Sequence, residues 1–339
     1  GVLEHKQGDL AQARHWYHEA IATGHTLLAP SAMNNLGMLE EKLGDLAQAR
    51  HWYHEAAATG DTDEAPKAMI RLGSLEEELG DLAQARHWYH GAVATGHVDR
   101  APRAMVHLGV LEHKQGDLAQ ARHWYHEAIA TGHTLLAPSA MNNLGMLEEK
   151  LGDLAQARHW YHEAAATGDT DEAPKAMIRL GSLEEELGDL AQARHWYHGA
   201  VATGHVDRAP RAMVHLGVLE HKQGDLAQAR HWYHEAIATG HTLLAPSAMN
   251  NLGMLEEKLG DLAQARHWYH EAAATGDTDE APKAAARLRD LDRREKESQQ
   301  ASWYSNYGYL AYADQSMMRR PSAPHPEEPP KEEGLPAPQ

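Results

Sequence analysis

Apolar residues recur along this chain at spacings of three and four, the period of an amphipathic helix. In one stretch, residues 66–101, a first segment carries an apolar stripe formed by Ala68, Met69, Leu72, Leu75 and Leu79. A second segment carries a stripe formed by Leu82, Ala85, Trp88, Tyr89, Ala92 and Val93. The pattern therefore predicts two helices in succession, followed by a short polar connector.

Residues that start and stop helices stand at the ends of both segments. Pro66 has the fixed φ suited to a first helical position, and Gly80 supplies a left-handed residue at the end of the first helix. Asp81 can accept hydrogen bonds from the free amides of the second helix, with Gln84 three residues later as in a capping box. Gly96 ends the second helix.

This two-helix unit repeats every 36 residues. The block Gly-Asp-Leu-Ala-Gln-Ala-Arg-His-Trp-Tyr-His occurs eight times, and residues 1–108 recur unchanged as 109–216. Residues 1–68 recur again as 217–284, so the full module is three units long. A period of this length indicates stacked helical repeats, because one hairpin cannot bury its own apolar faces.

Small residues predict where the helices of the array approach closely. Gly73, Ala85 and Ala92 leave room for neighbouring backbones, while Trp88 and Tyr89 offer large contact areas between units. We expect a bulky replacement of Gly73 to push the two helices of a unit apart.

The same residues resemble a known family. Leu72-Gly73, Gly80-Asp81, Ala85, Tyr89 and Ala92 stand at the spacings of the tetratricopeptide repeat signature, over residues 1 to about 288. Each unit is two residues longer than the usual 34, and the segment from Trp88 to Gly96 is also similar to Sel-one-like repeats. The resemblance implies an all-α fold, a right-handed α-solenoid superhelix of stacked antiparallel helix-turn-helix units.

The repeat pattern also predicts domain boundaries. Residues 1–281 form eight units, the first incomplete, and the polar residues of 282–300 suit a terminal capping helix. Residues 301–320 are rich in aromatics and are expected to be flexible. An alternative docks this segment in a groove through Trp303, Tyr304, Tyr307 and Tyr309. The Pro- and Glu-rich residues 321–339 are typical of a disordered tail.

Composition narrows the classes of function. The chain has no cysteine, which excludes disulfides, a thiol nucleophile and cysteine-ligated zinc. A net charge of −18 disfavours nucleic acid and anionic membranes, so basic or neutral protein partners are expected. No apolar run or leader of membrane type is present, which favours a soluble, cytoplasmic protein. No catalytic motif occurs, and no enzyme activity or cofactor is expected.

By the resemblance, the first helices line a concave groove that binds a peptide or protein segment. Its candidate residues, all expected to be exposed, are Ser31, Asn34, Met38, Glu41, Lys67, Ile70, Ser74, Glu77, Arg103, Val106, Val110 and His113, with Asn142, Ile178 and Val214 as repeats 108 residues later. The family's clamp for a C-terminal carboxylate is incomplete here. Asn34 replaces its lysine and Met38 replaces an asparagine, so free and amidated peptides should bind alike.

Two alternatives to a protein-interaction scaffold remain open at this point. One is a self-assembling or engineered array that stacks end to end. The other is a metal-binding array, because sixteen of the 27 histidines form His-x-x-His pairs such as His51 and His54. Each pair offers two imidazoles, whereas closed zinc sites need four ligands, so no metal site is predicted.

Overall fold

The computed structural model describes residue 2 and residues 9–317 of the chain. Between residues 9 and 317 it has sixteen α-helices, and no β-strand lies in that range. The helices are α1 (Leu10–Ala22), α2 (Leu28–Lys42), α3 (Leu46–Ala58), α4 (Glu64–Glu78), α5 (Leu82–Ala94), α6 (Arg100–Gln115), α7 (Leu118–Ala130), α8 (Leu136–Leu151), α9 (Leu154–Ala166), α10 (Glu172–Glu186), α11 (Leu190–Ala202), α12 (Arg208–Gln223), α13 (Leu226–Ala238), α14 (Leu244–Lys258), α15 (Leu262–Ala274) and α16 (Glu280–Met317). None of them is long and apolar enough to cross a membrane.

The helices pair as the sequence predicts. Even-numbered helices are here called first helices, and each of them from α2 to α14 packs most closely against the odd-numbered second helix that follows it. Every second helix also packs against the first helix of the next unit, and successive first helices contact each other. The predicted α-solenoid of stacked helix hairpins is therefore confirmed.

Helix starts differ between the two helices of a unit. Asp81 accepts a hydrogen bond from the Gln84 amide at 3.0 Å, as predicted, and Gly80 has a φ of +83°. Helix α4, however, starts at Glu64, two residues before Pro66. The Asp61 carboxylate accepts from the Glu64 amide at 2.7 Å, so this side chain caps the helix earlier than the proline signal suggests.

Connector histidines cap other first helices in the same way. His97 Nδ1 accepts from the Arg100 amide at 3.2 Å, and its Nε2 lies 3.3 Å from a carboxylate oxygen of Asp63 in the preceding connector. His133 makes the equivalent contact with Asp99 at 3.2 Å. These histidines join neighbouring connectors, a role that sequence reasoning did not identify.

Close packing inside each unit depends on a glycine and a tyrosine. Gly73 and Tyr89 face each other across the hairpin, and a Cβ on Gly73 would lie 2.4 Å from Tyr89 Cε1. Trp88 instead reaches the preceding unit, where its ring centroid lies 4.7 Å from that of His54. The expected close approach at Gly73 and the contact of Trp88 between units are both present.

An ion pair joins each pair of neighbouring units. The arginine of the recurring block pairs with a glutamate 26 residues later on the next first helix, as in Arg50 and Glu76 at 2.5 Å. The Glu76 side chain is only 4% exposed, whereas that of Arg50 is 44% exposed. The same pair occurs at Arg14–Glu40, Arg86–Glu112, Arg122–Glu148, Arg158–Glu184, Arg194–Glu220 and Arg230–Glu256.

The last helix differs from the predicted cap. Helix α16 starts at Glu280 and continues to Met317, whereas the sequence suggested a cap of residues 282–300 followed by a flexible segment. No proline follows Pro282 until Pro321, so nothing in between removes a backbone donor. Trp303 and Tyr304 are exposed on this helix. The side chains of Tyr307 and Tyr309, and the predicted tail 321–339, lie outside the described residues.

Candidate binding groove

A pocket of about 300 Å³ opens on the surface formed by the first helices. We call it cationic pocket 1; it lies where α2, α4 and α6 meet. Its lining residues are Glu41, Lys67, Ile70, Arg71, Ser74, Arg100, Arg103 and His107. Five of the predicted groove residues, namely Glu41, Lys67, Ile70, Ser74 and Arg103, are thus brought together.

The 108-residue period produces a second copy. Cationic pocket 2, of about 230 Å³, lies between α10 and α12 and is lined by Lys175, Ile178, Arg179, Ser182, Arg208, Arg211 and His215. Adjoining hollows on the same surface contain two further candidates. Met38 lies beside Glu41 in one of them, and Val214 lies beside Ser182 in the other.

Four candidates are buried, and the expectation that they are exposed is wrong. Asn34 and Asn142 are completely buried, and Ile70 and Ile178 are 7% exposed. First helices pack on two second helices and on each other, so more of their circumference is covered than one apolar stripe suggests. Ile70 and Ile178 contribute to the floors of the two pockets, whereas the asparagines are removed from the groove.

Asn34 connects successive first helices. Its Nδ2 donates to the Glu64 backbone oxygen at 2.9 Å and to Glu64 Oε2 at 2.6 Å. Asn142 makes the same two bonds to Glu172. In each asparagine Oδ1 is buried and has no hydrogen-bond partner within the described part of the chain. These amides therefore position the start of the next first helix.

The remaining candidates lie on the same helices but outside cationic pocket 1. Ser31, Val106, Val110 and His113 are half-buried. Glu77 accepts from the Tyr89 hydroxyl at 3.2 Å and from Lys114 at 2.6 Å. Glu77 is thus engaged in contacts within the fold.

Sequence reasoning missed three residues of the pocket, Arg71, Arg100 and His107. Arg71 lies four residues after Lys67, and His107 lies four after Arg103, so helical spacing from the known candidates could have identified both. The Arg71 guanidinium lies 5.9 Å from the centre of the Tyr53 ring, within reach of a cation–π contact. His107 stacks on Tyr89, with ring centroids 5.0 Å apart.

Positive charge dominates cationic pocket 1. Lys67 pairs with Glu64 at 3.1 Å, and Arg100 pairs with Asp63 at 3.1 Å. Arg71 and Arg103, by contrast, have no carboxylate partner among the described residues, and the same is true of Arg179 and Arg211 in cationic pocket 2. Each pocket therefore holds two guanidinium groups without an ion-pair partner among the described residues, and in cationic pocket 1 the Glu41 carboxylate belongs to the same lining.

Burial changes the titration of the aromatic and imidazole groups at the groove. It lowers the pKa of His107, an effect that Glu77 opposes and that Arg103 and Lys114 reinforce, so the ring is neutral at pH 7. Burial, together with the hydrogen bond to Glu41, raises the pKa of Tyr53 well above its ordinary value. The tyrosine hydroxyl therefore stays protonated and donates to Glu41 at 2.7 Å.

Paired histidines lie on the second helices, away from both pockets. In the first seven of the eight pairs the second histidine packs on the tryptophan of the next unit, as His90 does on Trp124 at 5.1 Å between centroids. Burial lowers the pKa of His90. Within the described residues no three His, Asp or Glu side chains come together in a group that could hold a metal ion.

Comparison with known proteins places the chain among helical repeats. A family model for the tetratricopeptide repeat matches residues 3–68, 42–102, 70–133, 142–207, 178–241 and 222–285. No curated protein sequence matches the chain.

Solved structures with the same fold are distant in sequence. Yeast Tom70 matches at 13% identity with a TM-score of 0.57, over 85% of this chain and 59% of that one. The C-terminal part of a TPR repeat-containing protein from Cytophaga hutchinsonii matches at 14% identity and 0.50, over 74% and 97%. The pilF protein of Pseudomonas aeruginosa matches at 20% identity and 0.49, over 67% and 99%. At these identities the likeness extends to the fold alone.

Proposed function

Since the chain belongs to the tetratricopeptide repeat family, we propose that it is a protein-interaction scaffold whose first-helix groove binds an extended peptide or protein segment. The observation that carries the proposal is the pair of pockets on the first-helix surface. Each combines an apolar floor, Ile70 or Ile178, with polar side chains at the rim. A few directed polar groups around apolar contact area are typical of ligand sites.

The repetition of the pockets supports an extended ligand. A segment that occupies one pocket raises the effective concentration of its next part near the other. Stacking of units rests mainly on Trp88, Tyr89 and the buried ion pairs, and Arg100 adds an ion pair with Asp63 of the preceding connector. The cytoplasmic location expected from the sequence stays a prediction.

A peptide library tests the groove directly. Peptides of random sequence displayed on phage are selected against the whole chain, and the enriched peptides are then measured by fluorescence anisotropy. In the groove variant, Ser74→Trp with Ser182→Trp, an indole fills each pocket mouth. The position accommodates larger side chains, because Met38 and Val110 occupy it in other units. We expect at least tenfold weaker binding to this variant.

The matched control places the same side chain outside the groove. Ala83 and Ala191 are exposed near the starts of the second helices α5 and α11, so Ala83→Trp with Ala191→Trp should leave binding unchanged. Circular dichroism checks that both variants keep their helix content. Selected peptides that bind the groove variant as well as the original chain would contradict the proposal.

A further inference from the structure

We infer that the two cationic pockets bind the side-chain carboxylates of an acidic peptide segment, one acidic cluster in each pocket. The inference rests on the proposed function and adds the chemistry of the ligand. The net charge of −18 led us to expect basic or neutral partners. The local charge of the pocket indicates the opposite, because four of the side chains that line cationic pocket 1 are Lys or Arg. Glu41 is the single carboxylate in that lining.

Uncompensated guanidinium groups are the first reason. Arg71 and Arg103 lie on neighbouring first helices, line one pocket and have no acidic partner among the described residues. Arg71 Nε is buried and makes no hydrogen bond to any described group. A guanidinium presents several donors in one plane and matches a carboxylate in bidentate geometry. Because Arg71 Nε is buried, a ligand carboxylate would bond to the terminal guanidinium nitrogens, and it would give Arg71 and Arg103 the acidic partner that the fold does not supply.

Ion pairs of the other two cations strengthen this argument. Lys67 and Arg100 already have carboxylate partners, Glu64 and Asp63, so the fold compensates these two cations and leaves Arg71 and Arg103 without one. Glu41 is occupied as the acceptor of the Tyr53 hydroxyl. In cationic pocket 2 the pattern repeats, with Lys175 paired to Glu172 at 3.2 Å while Arg179 and Arg211 stay unpaired within the described part of the chain.

Pocket size and total charge favour an acidic peptide over nucleic acid. A volume of about 300 Å³ accommodates one or two side chains, and its floor includes the apolar Ile70. Nucleic acid carries charge along its entire length and would meet the acidic surface of the chain beyond each pocket, whereas an acidic cluster inside a mixed peptide would not. The ligand therefore concentrates its carboxylates locally.

The cationic groups occur at one junction in three. At the position of Arg71 the preceding unit has Asn35, and at the position of Lys67 it has Ser31. Among the described first helices, positive charge at these positions on both facing helices is thus confined to the contact between α4 and α6 and to its copy between α10 and α12. A ligand with two acidic clusters can occupy both copies, and the second contact then becomes intramolecular.

Titration with defined probes tests this inference on the whole chain. The acidic probe is a labelled peptide with four consecutive glutamates flanked by Ser, Gly and Leu, and its controls replace the glutamates with Gln or with Lys. At physiological salt we expect two equivalents of the acidic probe per chain and at least tenfold weaker binding of the Gln peptide. Equal binding of the Gln peptide, or tighter binding of the Lys peptide, would overturn the inference.

Charge-reversal variants assign the binding to the pockets. Arg103 and Arg211 are exposed, so Arg103→Glu should remove one equivalent and Arg103→Glu with Arg211→Glu should remove both. Lys150→Glu with Lys258→Glu makes the same change in net charge at exposed positions outside both pockets. We expect this control to keep two equivalents. An equal loss in the control would mean that overall charge, and not the pocket, decides binding, and would refute the assignment.

Two further probes separate related ligands. Amidation of the peptide C-terminus should leave binding unchanged, because the carboxylates in question are on side chains. Loss of binding on amidation, or at least tenfold tighter binding of a phosphoserine peptide of the same length, would overturn the choice of side-chain carboxylates. If the library peptides bind the groove while the glutamate probe does not, this inference fails and the proposed function stands. If neither binds, both fail.

Discussion

Single residues in this protein are constrained by contacts that repeat in every unit. Gly73 is the clearest case, because the Tyr89 ring occupies the space that any Cβ would need. Its identity was predictable from the spacing of small residues in the sequence. The burial of Asn34 could not be predicted in this way. Its amide lies on the polar side of the predicted helix, and only the first helix of the next unit covers it.

Replacing Gly73 with alanine should destabilise the array. The added methyl group would lie 2.4 Å from Tyr89 Cε1, and overpacking of this kind costs about 1–3 kcal/mol. Gly91→Ala is the matched control, because the new Cβ would lie 3.4 Å from Met69 Sδ, and alanine in a helix is favoured by up to about 1 kcal/mol. Denaturant unfolding followed by circular dichroism measures both. A Gly73→Ala variant as stable as the original chain would contradict the packing described.

Pairs of helices from neighbouring units are held by apolar contact and by the buried ion pairs. The arginine of the recurring block is present in the sequence eight times, yet its partner could not be read from the sequence alone. Only the stacking of units brings Arg50 beside Glu76, 26 residues away. In the last unit the arginine of the block also has acidic partners, because Arg266 pairs with Asp292 and Glu295 of α16.

Removing the arginine should therefore weaken the contact between units. Arg50→Ala leaves the Glu76 carboxylate buried without its cation. Breaking a fully buried pair costs about 3–5 kcal/mol, and the half-exposed arginine reduces our expectation to roughly 2 kcal/mol. Lys114→Ala removes a comparable pair with Glu77, but Lys114 is 65% exposed, so it should cost less than about 1 kcal/mol. Equal losses in the two variants, measured by chemical denaturation, would count against this role.

At the scale of the whole molecule, the described units form a linear stack in which each unit packs against its neighbours. The three-unit module repeats, so the same pocket-lining side chains occur at two positions along the array. Residue 109 and residue 217 begin the same sequence, so one whole module can be removed without changing the residues at the junction.

Deletion of residues 109–216 should leave a folded, shorter array. Leu108 would then precede Gly217, and the residues around the new junction are identical to those around Gly109. Cationic pocket 1 would be kept and cationic pocket 2 lost, so one equivalent of the acidic probe should bind in place of two. Circular dichroism and titration check the two outcomes. Loss of helix content out of proportion to the deleted length would contradict the nearest-neighbour description.

The pH dependence of stability is also a property of the whole array. Burial lowers the pKa of six histidines, His90, His107, His113, His198, His215 and His221. Below about pH 6.5 the unfolded chain takes up protons at these sites before the folded chain does. Stability is therefore full above that pH and is lost as the pH falls toward the lowered values of the folded state.

Thermal melts between pH 7.5 and 5.5 measure this effect. We expect the midpoint to fall with pH, and to fall less in a His107→Gln, His215→Gln variant, because that variant lacks the two histidines stacked on Tyr89 and Tyr197. Replacement of His51 and His159, which are exposed on second helices, by glutamine is the matched control, because it removes the same number of imidazoles outside the groove. A midpoint independent of pH would contradict the expectation.

The sequence by itself determined the helices, their stops, the Asp81 type of cap, the 36-residue unit and the 108-residue module, because these depend on local spacing and backbone preference. The tertiary structure decided which side chains neighbouring helices bury and which side chains from different helices contact each other. Asn34 and Ile70 became buried, and Arg71, Arg100 and His107 joined Lys67 and Arg103 in one pocket. The physical reason is that each first helix is covered on several sides by neighbours whose positions depend on the stacking of whole units. Local periodicity records only that a face is apolar, and not which partner covers it.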